Sequence, residues 1–221
     1  MALGMRACGR LALVLAALAL AGCSSKSDGQ ISLGALAKAT LQGRKAGKTA
    51  PSPDQVSRAD LAAQGGPVMR MKVASRGIDT FLVRYQQSGP ISVWTDGGGT
   101  TFTFRNGVLI ESRGAGGDLM SSAAPSPGQL SGGGTHPRTY FVASDEDRNE
   151  RRDYSCTAVV TGAETLVVQG QSHATRHVTE TCSRPIGRFT NEYWFEGGTI
   201  RKSKEWLSPS VGYVVFERII D

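Results

Sequence analysis

The spacing of apolar and polar residues along the chain changes at Pro67. Before this proline, apolar residues in the stretch 32–42 recur every three or four positions, which predicts an amphipathic helix. A second, short helix is predicted to begin after Ser57, because Ser57 and Asp60 have the spacing of a capping box. Residues 31–66 are therefore predicted to form a helical segment.

After Pro67 the period of the pattern falls to two, which is typical of half-buried β-strands. In the first such segment, 69–73, apolar residues alternate with basic ones. Further short segments, rich in β-branched and aromatic residues, follow between turn residues. These predicted strands are 77–85, 91–95, 100–104, 108–111, 140–144, 154–162, 165–169, 173–182, 188–195, 199–204 and 212–219.

The connections support the same architecture. Asp96–Gly99 and Asn106-Gly107 are predicted hairpin turns, because Gly and Asn suit a left-handed backbone. The stretch 115–135, rich in Gly, Ser and Pro, is predicted to be a long flexible loop with one helical turn near Asp118. Residues 67–221 are thus predicted to be mainly β, an antiparallel β-barrel or strongly curved sheet of about ten to twelve strands, preceded by short N-terminal helices.

An apolar run near the start, Leu11–Leu20, follows two arginines and precedes Ala21-Gly22-Cys23. This order is typical of a bacterial lipoprotein signal peptide, in which residues 1–22 are removed before the cysteine. The run has about half of the roughly 20 apolar residues that a transmembrane helix needs. An ordinary cleaved signal is the alternative, but it leaves the cysteine after Leu-Ala-Gly unexplained.

Lipidation of Cys23 follows from this interpretation. Several acyl chains, each stabilising the bound state by about 0.8 kcal/mol per buried CH₂, would anchor the protein to a bilayer. Residues 23–30 are predicted to be the lipidated tether. Ser24 stands where many inner-membrane lipoproteins of Gram-negative bacteria carry Asp. We therefore expect a lipid-anchored protein of the outer membrane that faces the periplasm.

The net charge does not favour a nucleic-acid partner. The formal charge falls from +6 to +4 when Arg6 and Arg10 leave with the signal peptide. The remaining excess is dispersed along the chain, and the expected compartment also argues against nucleic acid.

Two cysteines remain for the folded domain, because Cys8 is cleaved away and Cys23 is acylated. In an oxidising periplasm, Cys156 and Cys182 are predicted to form a disulfide. Closing a loop of about 26 residues would stabilise the fold by roughly 3 to 4 kcal/mol on the chain-entropy model.

The rival to this disulfide is a metal site built from His173, His177 and Cys182, which lie close in sequence. An even separation places both histidines on one face of a strand. However, the chain lacks the Cys-x-x-Cys and helical His spacings of zinc sites. We predict surface histidines, no bound metal and no cofactor.

Catalytic motifs are missing from the sequence. There is no Gly-x-Ser-x-Gly elbow, and no nucleophile pattern accompanies the histidines. A glycosidase needs two facing carboxylates, and the available candidates are not distinguished from one another: Glu111, Asp118, Glu192 and Glu196. We predict no catalytic residues and a protein that is not an enzyme.

Aromatic residues are the remaining candidates for ligand contacts. Trp94, Trp206 and the run Tyr193-Trp194-Phe195 lie on predicted strands or beside turns. Alternation places Tyr193 and Phe195 on one face and Trp194 on the other. Core filling is favoured over stacking on sugar rings, and the ligand-binding residues stay unknown.

Several short segments follow one another in a characteristic order and spacing. They are Trp94 with Asp96-Gly97, Asn106–Leu109, Ser112-x-Gly114, Asp118-Leu119, Phe189–Trp194 and Ser203–Pro209. Together they resemble the YjbF-type (GfcB-type) lipoproteins of group 4 capsule and exopolysaccharide export, and the resemblance runs from about Leu61 to the C-terminus. Ser112 stands where the family leads us to expect Thr, and Glu205 where we expect Gln, so no binding role is transferred to either.

This resemblance implies a curved or barrel-like sheet anchored to the outer membrane, acting beside an export porin or on the polysaccharide. The expected function is that of a non-enzymatic accessory in capsule or exopolysaccharide secretion or assembly. Two alternatives stay open. A periplasmic lipid or lipoprotein carrier requires a continuous apolar cavity, and a glycan-processing enzyme requires paired carboxylates in one cleft.

Overall fold

The computed structural model describes residues 52–143 and 149–221. The predicted signal peptide, Cys23, the tether and the predicted helix at 32–42 lie outside these residues. Within the described part of the chain, no helix is long and apolar enough to span a membrane.

Two short helices flank the sheet, and each begins with a capping box. Helix α1 (Arg58–Ala62) follows Ser57, whose hydroxyl accepts the Asp60 N–H at 3.1 Å, so the predicted cap is confirmed. Helix α2 (Pro127–Gly132) follows Ser126, whose hydroxyl accepts the N–H of Gln129 at 3.2 Å. A hydroxyl at this position satisfies an N–H that otherwise has no partner within the helix.

Twelve antiparallel strands form one sheet, which confirms the predicted fold class. They are β1 (Val68–Val73), β2 (Ile78–Ser88), β3 (Ile91–Thr95), β4 (Thr101–Arg105), β5 (Val108–Arg113), β6 (Leu119–Ala123), β7 (Gly134–Ala143), β8 (Asn149–Val168), β9 (Gln171–Ser183), β10 (Arg188–Glu196), β11 (Thr199–Ser208) and β12 (Gly212–Ile220). The hydrogen-bonded order is β5-β4-β3-β2-β1-β12-β11-β10-β9-β8-β7-β6.

The prediction of a flexible loop over 115–135 is wrong. This stretch contains β6, α2 and the start of β7, and the predicted helical turn near Asp118 is the entry to β6. The glycines and Ser126 are used for caps and tight connections. Gly133 ends α2 with a φ of 75°, a left-handed conformation that glycine adopts without strain.

The sheet curls into a nearly closed barrel, and its two edge strands, β5 and β6, meet at a seam. Side chains bridge this seam where a backbone ladder would otherwise run. The Ser112 hydroxyl accepts the N–H of Leu119 at 3.0 Å. The Arg113 guanidinium donates to the carbonyls of Leu119 and Met120, both at 3.3 Å.

Large apolar side chains fill the barrel. Phe216 packs edge-to-face on Phe102 and Phe104, with ring centroids 5.1 and 5.0 Å apart. Trp94 is almost completely buried in the same cluster. Alternation places these rings on the inner faces of their strands.

The hairpin of β8 and β9 extends beyond the barrel, and we name residues 159–175 the arm. Strand β7 begins at Gly134, opposite Ala158, so the β8 residues beyond Ala158 pair only with β9. The tip folds back onto the outside of the barrel, where Val168 joins the buried cluster that contains Leu61 of α1. At the turn, the Gln169 side chain donates to the carbonyl of Pro53 at 3.1 Å.

Candidate functional site

A layer of polar side chains crosses the interior of the barrel. Glu180 and Glu205 are 0% exposed and Arg138 is 1% exposed. Each occupies an inward position of its strand, in line with apolar residues two positions away. We name this set the buried network: His136, Arg138 and Tyr140 on β7, Glu180 on β9, Asn191 and Tyr193 on β10, and Glu205 on β11.

Arg138 lies at the centre of the buried network. Its Nε lies 3.3 Å from Glu180 Oε1. Its two terminal nitrogens donate to Tyr140 Oη at 2.7 Å and to Tyr193 Oη at 3.1 Å. A buried guanidinium requires such compensation, because removal of a charge from water costs several kcal/mol.

Glu180 is the ionised carboxylate of the network. Its oxygens lie 2.8 Å from His136 Nε2 and 2.8 Å from Asn191 Nδ2. Burial alone would raise the pKa of Glu180, but Arg138, His136 and Asn191 outweigh it and hold this pKa below its usual range.

Glu205 has a different environment. Its oxygens accept the N–H of Leu109 on β5, at 3.3 and 3.4 Å, and the Tyr193 hydroxyl at 3.1 Å. Burial raises the pKa of Glu205 to about 7, and the attraction of Arg138 only partly offsets it. Arg138, together with His136 and Asn191, thus outweighs the burial of Glu180, but Arg138 offsets the burial of Glu205 only in part. The network holds one charged carboxylate and one that titrates near neutrality.

The two carboxylates are close together. Tyr193 Oη lies 3.3 Å from a Glu180 oxygen and 3.1 Å from a Glu205 oxygen. A hydroxyl carries one proton, so it donates to only one of them at a time.

No substrate-sized space adjoins this pair in the described residues. The cavity beside Ser203 has a volume of about 30 Å³ and is lined by core residues such as Met69 and Trp94. This volume suits one or two water molecules. Neither a sugar ring nor an acyl chain fits in this cavity.

The four carboxylates considered from the sequence are engaged elsewhere, each with its own partners. Asp118 accepts the N–H groups of Gly114 and Ala115, both at 2.9 Å, and so closes the turn before β6. The other three form ion pairs at the protein surface, namely Glu111 with Arg113 at 2.9 Å, Glu192 with Lys204 at 2.8 Å and Glu196 with Arg201 at 2.8 Å.

The residues of the buried network were not singled out from the sequence. A usable signal exists in β9, where Glu180 occupies the inward position between Val178 and Cys182. A charged residue in register with an apolar face predicts a buried ion pair or network. The same test applied to β7 would have found Arg138, between His136 and Tyr140.

The structure joins Cys156 and Cys182, directly opposite each other on β8 and β9, by a disulfide. The rival metal set is not brought together, because Cys182 faces the interior while His177 stacks on Trp194 outside the barrel, with ring centroids 4.5 Å apart. Donor atoms of His136, Cys156 and Glu180 do lie within 4.8 Å of one another. However, the sulfur of Cys156 is bonded to Cys182 and offers no thiolate.

The aromatic residues follow the predicted alternation. Tyr193 and Phe195 are buried in the barrel, and Trp194 points to the opposite face. There Trp194 lies between the His177 ring and the ammonium of Lys202, 5.2 Å from the ring centroid, while its indole N–H donates to Glu164 on the arm. Trp194 therefore fastens the arm to the barrel and offers no free face to a sugar.

Comparisons with known proteins agree on the fold. A family model described as "Group 4 capsule polysaccharide lipoprotein gfcB, YjbF" matches residues 34–219. The crystal structure of the hypothetical lipoprotein YmcC from Escherichia coli (K12) is similar, with a TM-score of 0.63 and 19% identity, covering 82% of this chain and 94% of that chain. No curated protein matches the sequence.

Proposed function

Because the chain belongs to the YjbF family of group 4 capsule polysaccharide lipoproteins, we propose that it is a non-enzymatic accessory in the secretion or assembly of a capsule or exopolysaccharide. In this proposal, acylated Cys23 anchors it to the outer membrane and the barrel faces the periplasm. Its partner is an export porin of that membrane or the polysaccharide itself.

The observation that carries the proposal is the packed interior of the barrel. Aromatic side chains and the buried network fill it, and the cavity beside them has room for about 30 Å³ only. A carrier needs an apolar cavity and an enzyme needs an accessible site, whereas an accessory protein acts through its surface. Contacts with an export partner or a glycan would therefore involve the outside of the barrel.

The anchor is tested by intact-mass analysis of protein extracted from the envelope of its native host. We expect a chain that begins at Cys23 and carries three acyl chains, recovered with the outer-membrane fraction. An unmodified Cys23, or recovery with the inner membrane, would contradict this part of the proposal.

The partner is tested by chemical cross-linking in intact cells, followed by affinity purification and mass spectrometry. We expect cross-links to an outer-membrane polysaccharide exporter, or retention of polysaccharide that an unrelated lipoprotein does not retain. Calorimetric titration with the purified host polysaccharide separates these two outcomes. The absence of both exporter cross-links and saccharide binding would contradict the proposal.

A further inference from the structure

One face of the arm is apolar and exposed. Val160 is 43% exposed and Val167 67%. A bulge after Val160 keeps it on the same face as Ala163 and Thr165, because their partners on β9 alternate without interruption. We name this surface the arm face: Val160, Ala163, Thr165 and Val167 on β8, with Ser172, Ala174 and Arg176 on β9.

The arm face borders a cleft of about 510 Å³ between the arm and the end of the barrel. Small residues, Ala163 and Ala174, line one side of this cleft, and Phe195 and Gly197 line the other. The polar residues of the lining are Glu164, Thr165, Thr175 and Arg176. Beyond Ala158, β8 has a free edge on the side away from β9. Between Val159 and Ala163 this edge carries none of the lysines or prolines by which proteins usually protect an unpaired strand. Val160 and Val167 on the arm face are exposed, so the arm leaves apolar surface without a cover among the described residues.

The path of the chain beside the arm indicates which segment covers the cleft. The Gln169 side chain, at the arm tip, donates to the carbonyls of Pro53 and Val56, so the preceding residues leave the fold beside the arm. The distance along the strand from the arm tip to Ala163 is about 20 Å, since each strand residue spans roughly 3.3 Å. The nine residues 43–51 can span up to about 30 Å. The chain is therefore long enough for the stretch 32–42 to reach the cleft.

We propose that residues 32–42 dock in this cleft as an amphipathic helix. Its apolar stripe consists of Leu33, Leu36, Ala37, Thr40 and Leu41. A helix of this length spans about 16 Å, which is shorter than the arm face. The family match begins at residue 34, so nearly all of this stretch belongs to the family's domain rather than to a variable tether.

Docking would set the distance between the barrel and the membrane. This consequence, unlike the docking itself, rests on the proposed anchor at Cys23. With the helix docked, the eight residues 24–31 limit the separation to about 28 Å. With the helix released, the chain 24–51 could extend to about 95 Å. The arm would thus hold the domain near the outer membrane.

The test measures maleimide labelling of a cysteine placed at Thr165, in the full-length lipidated protein. Thr165→Cys is compared with Gln86→Cys, an exposed position on β2 away from the arm. A docked population of about nine in ten slows labelling about tenfold. We expect this slowing in membranes and in detergent, and its loss when Leu33, Leu36 and Leu41 are all replaced by Asp.

Any of the remaining outcomes would contradict the proposal. Equal labelling at positions 165 and 86 shows that the cleft is open. Slowing that survives the triple Asp substitution shows a different occupant, and slowing that disappears in detergent shows cover by the membrane. An unchanged circular dichroism spectrum and melting temperature verify that the Asp variant is folded. Because the detergent measurement does not depend on Cys23, failure of the anchor and failure of docking are distinguishable.

Discussion

Replacement of Glu205 by Gln tests the electrostatics of the buried network. Glu205 is completely buried, and its pKa is raised from 4.5 to about 7. Between these two values the folded protein retains a proton that the unfolded chain has released. The contribution of this group to stability therefore falls as the pH rises from about 4.5 to 7, and it stays unfavourable above that range.

The size of this effect follows from the difference in pKa. At about 1.4 kcal/mol per pKa unit, ionised Glu205 lowers the free energy of unfolding by about 3 kcal/mol. Glutamine has the same shape without the charge, and its carbonyl can still accept the N–H of Leu109. We expect Glu205→Gln to exceed the stability of the wild type by about 1 kcal/mol at pH 5.5, where part of the loss has already occurred, and by about 3 kcal/mol at pH 8.5, or about 6 to 12 °C in Tm.

The assay is urea unfolding at a series of pH values from 5.5 to 8.5, monitored by tryptophan fluorescence. Glu192→Gln is the matched control, since it removes a carboxylate from a partly exposed surface pair with Lys204. Such pairs contribute about 1 kcal/mol or less, so this control should change little across the range. If Glu205→Gln is equally destabilised at every pH, ionised Glu205 makes a stabilising contact and the reasoning is refuted.

Three further substitutions test other parts of the fold. Arg138→Met leaves Glu180 buried without its cation and should cost about 3 to 5 kcal/mol in urea unfolding at pH 7; a loss below about 1 kcal/mol would show that the pair is dispensable. Joint replacement of Cys156 and Cys182 by Ser should cost about 3 to 4 kcal/mol; an unchanged Tm would contradict this. Ser112→Ala removes an acceptor at the seam and should cost about 1 to 3 kcal/mol, with faster hydrogen exchange at the start of β6; unchanged exchange there would contradict the role of this hydroxyl.

The barrel could be predicted because strand alternation and glycine turns are local signals. Two strand boundaries were predicted wrongly. The predicted strands 154–162 and 165–169 are one strand in the structure, with a bulge between Val160 and Gly162. The strand predicted over 140–144 begins earlier, because β7 starts at Gly134 and pairs Pro137 with Ser155.

The buried network depends on contacts between residues far apart in sequence. Glu205 meets Leu109 across 96 positions, and Arg138 meets Tyr193 across 55. A period of two gives the face on which a residue lies, but it does not give the partner across the barrel. Which residues compensate one another inside the fold could therefore be recognised only from the structure.

Secretion in a deletion strain tests the central claim most directly. Surface-attached and periplasmic polysaccharide would be quantified separately in the wild type, in the deletion strain, and in strains complemented with the wild-type gene or with Glu205→Gln. We predict that deletion lowers surface polysaccharide while total synthesis continues, and that both genes restore it because the proposed role requires no catalysis by the buried carboxylates. Normal surface polysaccharide in the deletion strain would contradict the accessory role, and loss of complementation by well-folded Glu205→Gln would indicate chemistry at the buried carboxylates.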